Sequence, residues 1–352
     1  MQTFFIVAIL GLGFLVTFQI AKASEYVAVI RGSDRARKQT NKINGFLLLV
    51  FLILGMIGVY YCNERLGGKI LQLGSAASEQ GMLIDRMLKI TIIITGIVFF
   101  ITQVLLFWYC FRYQESDKRK AYYFPHNNKL EIIWTVIPAI ALTVLVGFGI
   151  IYWFRITGDA PKNASVIEVT GSQFKWEFRY PGADNILGKK YFKNIDPVDN
   201  PLGQLWDDKA NMDDIYVSSE MHLVVNKPVR LVINAKDVIH DVGLSHFRMK
   251  MDAVPGTPTT MWFTPTKTTR QMKEETGNPN FVYEISCDQM CGQGHWSMRG
   301  EIIVETQEEF DTWMATKKSR YYTTFPELDP SKKKVLVDSN AIKPVAMIQP
   351  AN

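Results

Sequence analysis

The sequence predicts a membrane region of four transmembrane α-helices followed by an all-β domain with an antiparallel sandwich or Greek-key topology. Four apolar stretches in the first part approach the roughly 20 residues that a helix needs to cross a bilayer, and charged residues occur only near their ends. After about residue 158 the pattern changes to short alternating runs separated by Pro, Gly, Asn and Asp. The four stretches cover about residues 3–20, 45–62, 88–111 and 132–154.

The composition limits the classes of function. The 352 residues carry a formal net charge of +5, and the β half has no block of Lys and Arg with interleaved aromatics, so we expect no nucleic-acid partner. Cys62 and Cys110 lie in apolar stretches, where a structural thiol is expected. Cys287 and Cys291 lie four residues apart in the β half, which indicates a site more than a disulfide framework.

Basic residues predict the orientation in the membrane. The segments after the first and third apolar stretches are richer in Lys and Arg than the segment after the second. The positive-inside rule therefore places these two segments in the cytoplasm, and the N-terminus and the β half outside. A cleaved signal peptide over residues 1–23 is the competing interpretation, because Ala21-Lys22-Ala23 resembles a cleavage site. Its first residues lack Lys and Arg, and cleavage would leave an odd number of spans, so we expect a retained helix.

The β half divides into strands, one helix and two irregular segments. Residues 307–316 predict a short amphipathic helix that closes the domain, and residues 184–214 predict a long inserted loop. We place the domain at residues 159–317, after a membrane region of residues 1–158 and before an extended C-terminal tail of residues 318–352. The predicted strands are residues 165–169, 174–180, 215–217, 221–225, 229–235, 260–263, 281–286 and 300–305.

A group of soft ligands carries the chemistry of the β half. Cys287, Cys291, His295 and Met298 follow one another at short intervals, and His240 lies upstream in Asp-Val-Ile-His. Thiol, imidazole and thioether together favour copper. Zinc competes for such ligands, but structural zinc sites usually have Cys-x2-Cys spacing and no Met. A disulfide between the two cysteines is the simpler alternative, although it would not account for the His and Met at those offsets.

These motifs resemble subunit II of the haem–copper cytochrome c oxidases. The match includes Asp-Val-Ile-His at residues 237–240 and Cys-x3-Cys-x3-His-x2-Met at residues 287–298. It also includes Lys-x-Asp-Ala-x-Pro-Gly at residues 250–256 and Glu-x-x-Trp-Thr-x-x-Pro at residues 131–138, and it extends over about residues 86–317. The resemblance implies a cupredoxin-like Greek-key fold with a binuclear copper centre, CuA. The implied ligands are His240, Cys287, the backbone carbonyl of Gln289, Cys291, His295 and Met298.

The resemblance also implies a function. The chain would accept electrons one at a time from cytochrome c, or from a cytochrome-bearing partner complex, and pass them to the haem of subunit I. Oxygen would be reduced to water there with proton translocation, and Glu131 would lie at the mouth of a proton path. The implied location is a bacterial inner membrane with the copper domain in the periplasm. Asp237, Asp288 and Trp296 adjoin the ligands and are candidates for tuning them.

Two positions depart from the family pattern. The family usually has Glu at the position of Gln289, where the side chain binds magnesium at the boundary with subunit I, with Asp252 involved through water. An amide is a weaker ligand for magnesium than a carboxylate. The family usually has Trp where Phe174 stands, and that Trp receives the electron from cytochrome c. Phe174 and Trp176 are the remaining candidates in this segment. Trp206 is a further one, although it is better explained as a hydrophobic anchor of the inserted loop.

Other function classes remain for comparison. A membrane-tethered copper carrier or assembly factor would bind the metal without catalytic flux, and it needs an exposed, exchangeable site. A structural membrane subunit with a Cys287–Cys291 disulfide would bind no copper. A quinol oxidase subunit lacks the copper ligands that this chain has. A nitrous-oxide reductase would need a large His-rich domain, whereas this chain has 5 His residues in all.

Overall fold

A computed structural model describes residues 2–66 and 75–330 of the chain. The chain forms two compact units. One comprises residues 1–72 and 88–146, and the other comprises residues 73–87 and 147–352. The first unit is helical, and the second contains the β-sheets together with the ends of two long helices.

Four long helices are apolar enough to cross a membrane, which confirms the predicted membrane region. They are α1 (Gln2–Arg31), α2 (Ser33–Leu66), α3 (Glu79–Arg112) and α4 (Asn128–Thr157). Their lengths of 30 to 34 residues correspond to about 45–51 Å at 1.5 Å per residue. The hydrocarbon core of a bilayer is about 30 Å thick, so each helix is long enough to continue beyond it.

The basic segment between the first two apolar stretches does not form a loop. The segment is helical, and α1 and α2 are separated only at Gly32, whose φ of +84° is in the left-handed region that suits glycine. Loss of hydrophobicity marks the end of a span but does not stop a helix, because exposed Lys and Arg are good helix formers. Arg37 of α2 contacts Glu115 at 3.0 Å, and Lys38 pairs with Asp117. The two basic segments therefore meet on one side, as the predicted orientation requires.

Two five-stranded sheets form the β domain. Their strand orders are β3-β2-β1-β5-β8 and β4-β10-β9-β6-β7. Most pairs are antiparallel as predicted, but β1 pairs with β5 and β4 pairs with β10 in parallel. The strands are β1 (Ser165–Ser172), β2 (Lys175–Tyr180), β3 (Ile215–Ser218), β4 (Glu220–Val224), β5 (Val229–Ala235), β6 (His240–Leu244), β7 (Met249–Ala253), β8 (Thr259–Phe263), β9 (Tyr283–Cys287) and β10 (Arg299–Glu305).

Two strands and the helix between β8 and β9 were not predicted. Strand β6 is buried at every position, including His240 and Asp241, so it lacks the polar–apolar alternation that identifies half-buried strands. Strand β7 adjoins it at the edge of the sheet. Helix α5 (Thr269–Thr276) is short, and a capping box between Thr268 and Gln271 defines its start. Helix α6 (Gln307–Ala315) matches the predicted closing helix and also starts with a capping box.

Strand β2 is buried on both faces. Trp176, Phe178 and Tyr180 belong to the apolar core between the sheets. On the alternate positions, Glu177 and Arg179 are also buried, and Arg179 contacts residues of the inserted loop. The loop therefore covers this sheet beside Arg179 and supplies polar partners to its guanidinium, whereas two lysines outside the loop pair with Glu177.

The inserted loop and the segment after residue 318 pack together. The predicted extended tail is wrong for residues 320–328, where helix α7 (Arg320–Thr324) and a 3-10 turn (Pro326–Leu328) form. The aromatic ring of Trp206 lies 5.9 Å from the rings of both Tyr321 and Phe325. These contacts give the segment enough apolar surface to fold onto the loop, and they match the anchoring role for Trp206. Residues 331–352 of the predicted tail lie outside the described residues.

The residues just before α3 belong to the β unit. Ala76 and Ala77 are buried, and the backbone of Ala77 bonds to His246 and Thr266 of the β domain. Within the same unit, Asp85 in the first turns of α3 accepts a hydrogen bond of 2.8 Å from Arg248. A short β-like segment therefore attaches the start of α3 to the β domain.

Candidate metal centre

The predicted ligands come from the ends of adjacent strands and the loop that joins β9 to β10. His240 begins β6 and Cys287 ends β9, and these strands pair antiparallel. Cys291 lies in the loop, His295 begins a 3-10 turn, and Met298 directly precedes β10. Two sheet strands thus hold the first two ligands, and a short loop returns the other three to the same place.

All six predicted donor atoms converge. The Cys287 sulfur lies 3.8 Å from His240 Nδ1 and 3.2 Å from the Gln289 carbonyl oxygen. The Cys291 sulfur lies 3.6 Å from His295 Nδ1 and 3.9 Å from the Met298 sulfur. The two thiols are free, with their sulfurs 3.7 Å apart, whereas a disulfide bond measures about 2.05 Å.

These separations suit metal binding. Two sulfurs bound tetrahedrally to one ion at about 2.3 Å would lie about 3.7 Å apart. Among the described residues, His240, Cys287 and Cys291 form a group whose ligand atoms lie within 4.8 Å of one another. The donor set and its spacing therefore fit copper, with no rearrangement needed to bring the ligands together.

The centre is largely closed to solvent. His240 and Met298 are fully buried, and Cys287 and Cys291 are 7% and 4% exposed. Burial, followed by the neighbouring Cys287 thiol, raises the pKa of Cys291 to about 11. The Cys291 thiol therefore keeps its proton unless a cation compensates the thiolate charge, so metal binding at this residue releases a proton.

Asp237 orients one of the histidines. Its carboxylate lies 2.8 Å from His240 Nε2. A carboxylate can only accept, so Nε2 carries the proton and the lone pair of Nδ1 points toward the sulfurs. Burial acts to raise the pKa of Asp237, but hydrogen bonds from the Gln173 backbone, His240 and the Val238 backbone outweigh it and hold the pKa below its usual value. Asp237 thus stays ionised and fixes the imidazole.

The other adjacent candidates have different surroundings. Asp288 accepts a hydrogen bond of 2.9 Å from Ser286. The carboxylate of Asp288 also lies so close to Gly243 that a Cβ there would be 2.3 Å from it. Trp296 is 79% exposed, so its indole is available to a partner surface and does not pack around the ligands.

The two aromatic candidates take unlike positions. Phe174 is 39% exposed and packs on the ligand loop, where a Cβ at Gly294 would lie 2.5 Å from its ring. Trp176 is fully buried and meets His240 edge-to-face with 6.1 Å between ring centroids. Phe174 is therefore the one of the two that reaches the surface, and Trp176 supports the ligand from the core.

The remaining predicted residues, Asp252 and Glu131, have partners of their own. Asp252 pairs with Asp241 across β6 and β7, and burial and this partner raise the pKa of Asp241 to about 7. Glu131 lies in the first turn of α4, where its carboxylate accepts a hydrogen bond of 3.2 Å from the Asn127 backbone. Sequence reasoning missed Gln173, which contacts both halves of the centre, because nothing in the local pattern marks it.

Known proteins resemble both parts of the chain. The family model for the cytochrome c oxidase subunit II transmembrane domain matches residues 67–150, and the model for its periplasmic domain matches residues 165–307. The alternative cytochrome c oxidase subunit 2 of Bradyrhizobium diazoefficiens is 35% identical over 239 residues, which are 67% of this chain and 80% of the relative. Cytochrome c oxidase subunit 2 of Cereibacter sphaeroides is 27% identical over 66% of this chain and 75% of the relative.

A solved structure is also similar. The periplasmic domain of subunit II of cytochrome oxidase from Bradyrhizobium japonicum matches with a TM-score of 0.32 and 24% identity. The match covers 45% of this chain and 96% of that one.

The two family models agree with the fold described above. The chain is a membrane protein with a copper-binding periplasmic domain of the cupredoxin type. The chain belongs to the cytochrome c oxidase subunit II family, and it is the subunit through which electrons reach a haem–copper terminal oxidase.

Proposed function

We propose that the chain accepts single electrons from a c-type cytochrome at a binuclear copper centre and passes them to the haem of subunit I. The observation that carries this proposal is the division of the donors into two sets. Cys287 has its own histidine, His240, at 3.8 Å, and Cys291 has its own, His295, at 3.6 Å. A single ion would leave one of these sets without a metal.

Each set has a different weak donor. The Gln289 carbonyl oxygen is on the Cys287 side, and the Met298 thioether is on the Cys291 side. The two sulfurs lie 3.7 Å apart, so together with the two histidines they would hold a pair of ions. When bound, such a pair of coppers supplies one-electron redox chemistry shared over both metals.

The chain itself keeps the geometry fixed during electron transfer. His240 and Cys287 sit on paired strands in the sheet, and Asp237 holds the His240 ring. A scaffold that moves little on reduction keeps the reorganisation energy small. Burial of four of the six proposed ligands excludes water and disfavours metal exchange, which argues against the carrier class.

The first test is metal analysis with electron paramagnetic resonance of the full chain, reconstituted with copper in detergent. We expect two coppers per chain and, in the oxidised state, one unpaired electron split equally by two copper nuclei. The chelator bathocuproine should remove copper slowly from the reduced chain, because the ligands are buried. One copper with a localised signal and rapid loss to the chelator would instead favour a carrier. No copper and a Cys287–Cys291 disulfide would favour a structural subunit.

A magnesium ion bound by Gln289 and Asp252 is a finer part of the proposal. Gln289 offers only a neutral amide oxygen, and Asp252 already shares a hydrogen bond with Asp241. We therefore propose at most a weak, water-mediated magnesium site. Occupancy of this site can be measured by replacing magnesium with manganese in the intact oxidase, because a bound Mn²⁺ has its own paramagnetic signal.

We also propose that Glu131 lies at the mouth of a proton path into subunit I. Replacing Glu131 by glutamine removes the ionisable group but keeps the side-chain size, so oxygen consumption should fall about tenfold or more. Reduction of the copper centre by cytochrome c should be unchanged. Glu115→Gln, in the loop after α3, is the matched control and should retain turnover. Equal turnover in Glu131→Gln and the control would exclude this role.

The membrane is proposed to be a bacterial inner membrane, with the N-terminus and the copper domain in the periplasm. We keep the domain bounds of residues 1–158, 159–317 and 318–352 as part of this proposal. Labelling of exposed lysines in intact spheroplasts tests the orientation. Residues 193 and 209 should react with an impermeant reagent, whereas residues 118 and 120 should not.

A further inference from the structure

The turn between β1 and β2 contacts both halves of the metal centre through one residue. The backbone N–H of Gln173 donates a hydrogen bond of 2.8 Å to Asp237 Oδ2. Its side-chain amide donates one of 2.6 Å to the backbone carbonyl of Cys291. The two acceptors lie 64 and 118 residues further along the chain, so the fold alone brings them to this turn.

The first contact acts on His240. Asp237 uses Oδ2 to accept from Gln173 and Oδ1 to accept from His240 Nε2 at 2.8 Å. Both carboxylate oxygens are therefore held, and the imidazole cannot rotate without breaking one of these bonds. Gln173 thus helps to fix the ring of a proposed ligand that it does not itself touch.

The second contact acts on the ligand loop. Gly292 follows Cys291 with φ of +131°, a conformation that L-residues rarely adopt. A Cβ at Gly292 would lie 2.9 Å from the Gln173 amide nitrogen. The hydrogen bond to the Cys291 carbonyl therefore holds the loop where it leaves the thiolate, and Phe174 covers the same loop at Gly294.

We propose that Gln173 is a positioning residue that locks the His240 and Cys291 segments together, and so sets the copper affinity and reduction potential of the centre. The inference rests on the proposed copper site. The side-chain amide is the part that can be changed, because any residue keeps the backbone bond to Asp237. Its loss would free the Cys291 side of the centre and leave the His240 side in place.

The test compares Gln173→Glu with Gln293→Glu in the full chain. Glutamate at residue 173 keeps the shape but cannot donate to the Cys291 carbonyl and repels it. The control, Gln293→Glu, adds the same charge at an exposed position in the loop that carries Cys291. Gln173→Ala removes the bond without adding charge. We expect both residue 173 variants to bind copper about tenfold more weakly. Their reduction equilibrium constant should change by about tenfold, which corresponds to about 59 mV for one electron.

A second readout needs no copper. In the copper-free, reduced chain, peptide-resolved alkylation should modify Cys291 about fivefold faster in both residue 173 variants, the factor expected for loss of one hydrogen bond. The Gln293→Glu rate should equal the wild-type rate. Unchanged alkylation and unchanged potential would overturn the role of Gln173. Faster alkylation in the residue 173 variants of a chain that binds only one copper would support the positioning role of Gln173 but refute the binuclear centre. The two proposals can therefore fail separately.

Discussion

Replacing Cys287 by serine is expected to abolish the two-copper signal and reduce cytochrome c oxidation by the assembled oxidase at least about 100-fold, because loss of an outer-shell partner alone costs about 10–100-fold. Three other donor atoms lie close to the Cys287 sulfur: His240 Nδ1 at 3.8 Å, Cys291 Sγ at 3.7 Å and the Gln289 carbonyl oxygen at 3.2 Å. A serine hydroxyl is hard and stays protonated, so it cannot replace the thiolate that would hold the proposed coppers.

The chain supplies matched controls for this substitution. Cys62 and Cys110 are also free thiols, but they are exposed on α2 and α3. Cys62→Ser and Cys110→Ser should keep the spectrum and turnover of the wild type. The thermal unfolding of Cys287→Ser should be measured without copper, to separate loss of metal from loss of fold. A variant that keeps two coppers and a delocalised signal would show that Cys287 does not bridge.

The convergence of the candidate ligands could be predicted because most of their chemistry is concentrated in one short segment. Cys287, Cys291, His295 and Met298 lie between the end of β9 and the start of β10, and the same spacing that marks them in the sequence brings their sulfur and nitrogen atoms together. The role of Gln173 could not be predicted, because its contact with Cys291 joins residues 118 positions apart. A polar residue in a turn gives no local sign of which distant backbone it will meet.

The fold shows the same limit. The predicted strands that alternate polar and apolar residues are present. Strand β6 was not predicted, because His240 and Asp241 are buried beside Val242 and the strand therefore shows no alternation. In β2, Arg179 occupies a position that alternation assigns to solvent, yet it is buried. The inserted loop covers it, and periodicity within a strand does not indicate what a distant loop will cover.

Replacing Arg179 by methionine is therefore expected to destabilise the β domain by about 3–5 kcal/mol, the usual cost of removing one partner from a buried ion pair. The Arg179 guanidinium bonds to Glu168 at 2.6 Å and to Asp214 at 2.8 Å, and all three side chains are at most 3% exposed. The substitution fills a similar volume but leaves buried Asp214 without its cation and Glu168 with Lys190 alone. It also releases the inserted loop, since the same side chain donates to the Gly188 carbonyl and to Asn211.

The pH dependence identifies the cause of this loss. In the wild type, burial acts to raise the pKa of Glu168, but Arg179 and Lys190 outweigh it and hold the pKa below its ordinary value of 4.5. This group therefore adds stability above pH 4.5 that is lost as the pH falls through its folded pKa. Without Arg179, burial should raise the pKa of Glu168 instead. Acid should then protonate this carboxylate and relieve the buried charge, so the difference in unfolding free energy between variant and wild type should become smaller.

Urea unfolding of the detergent-solubilised chain at several pH values, followed by tryptophan fluorescence, measures both effects. Arg230→Met is the matched control, because Arg230 is exposed on β5, and it should change stability by no more than about 0.5 kcal/mol at any pH. The ionic explanation would be contradicted if Arg179→Met lost no more unfolding free energy than Arg230→Met. A loss that grows as the pH falls would also contradict it. A penalty that shrinks toward low pH would show that Arg179 holds the inserted loop on β2 chiefly by neutralising carboxylates that the loop itself buries.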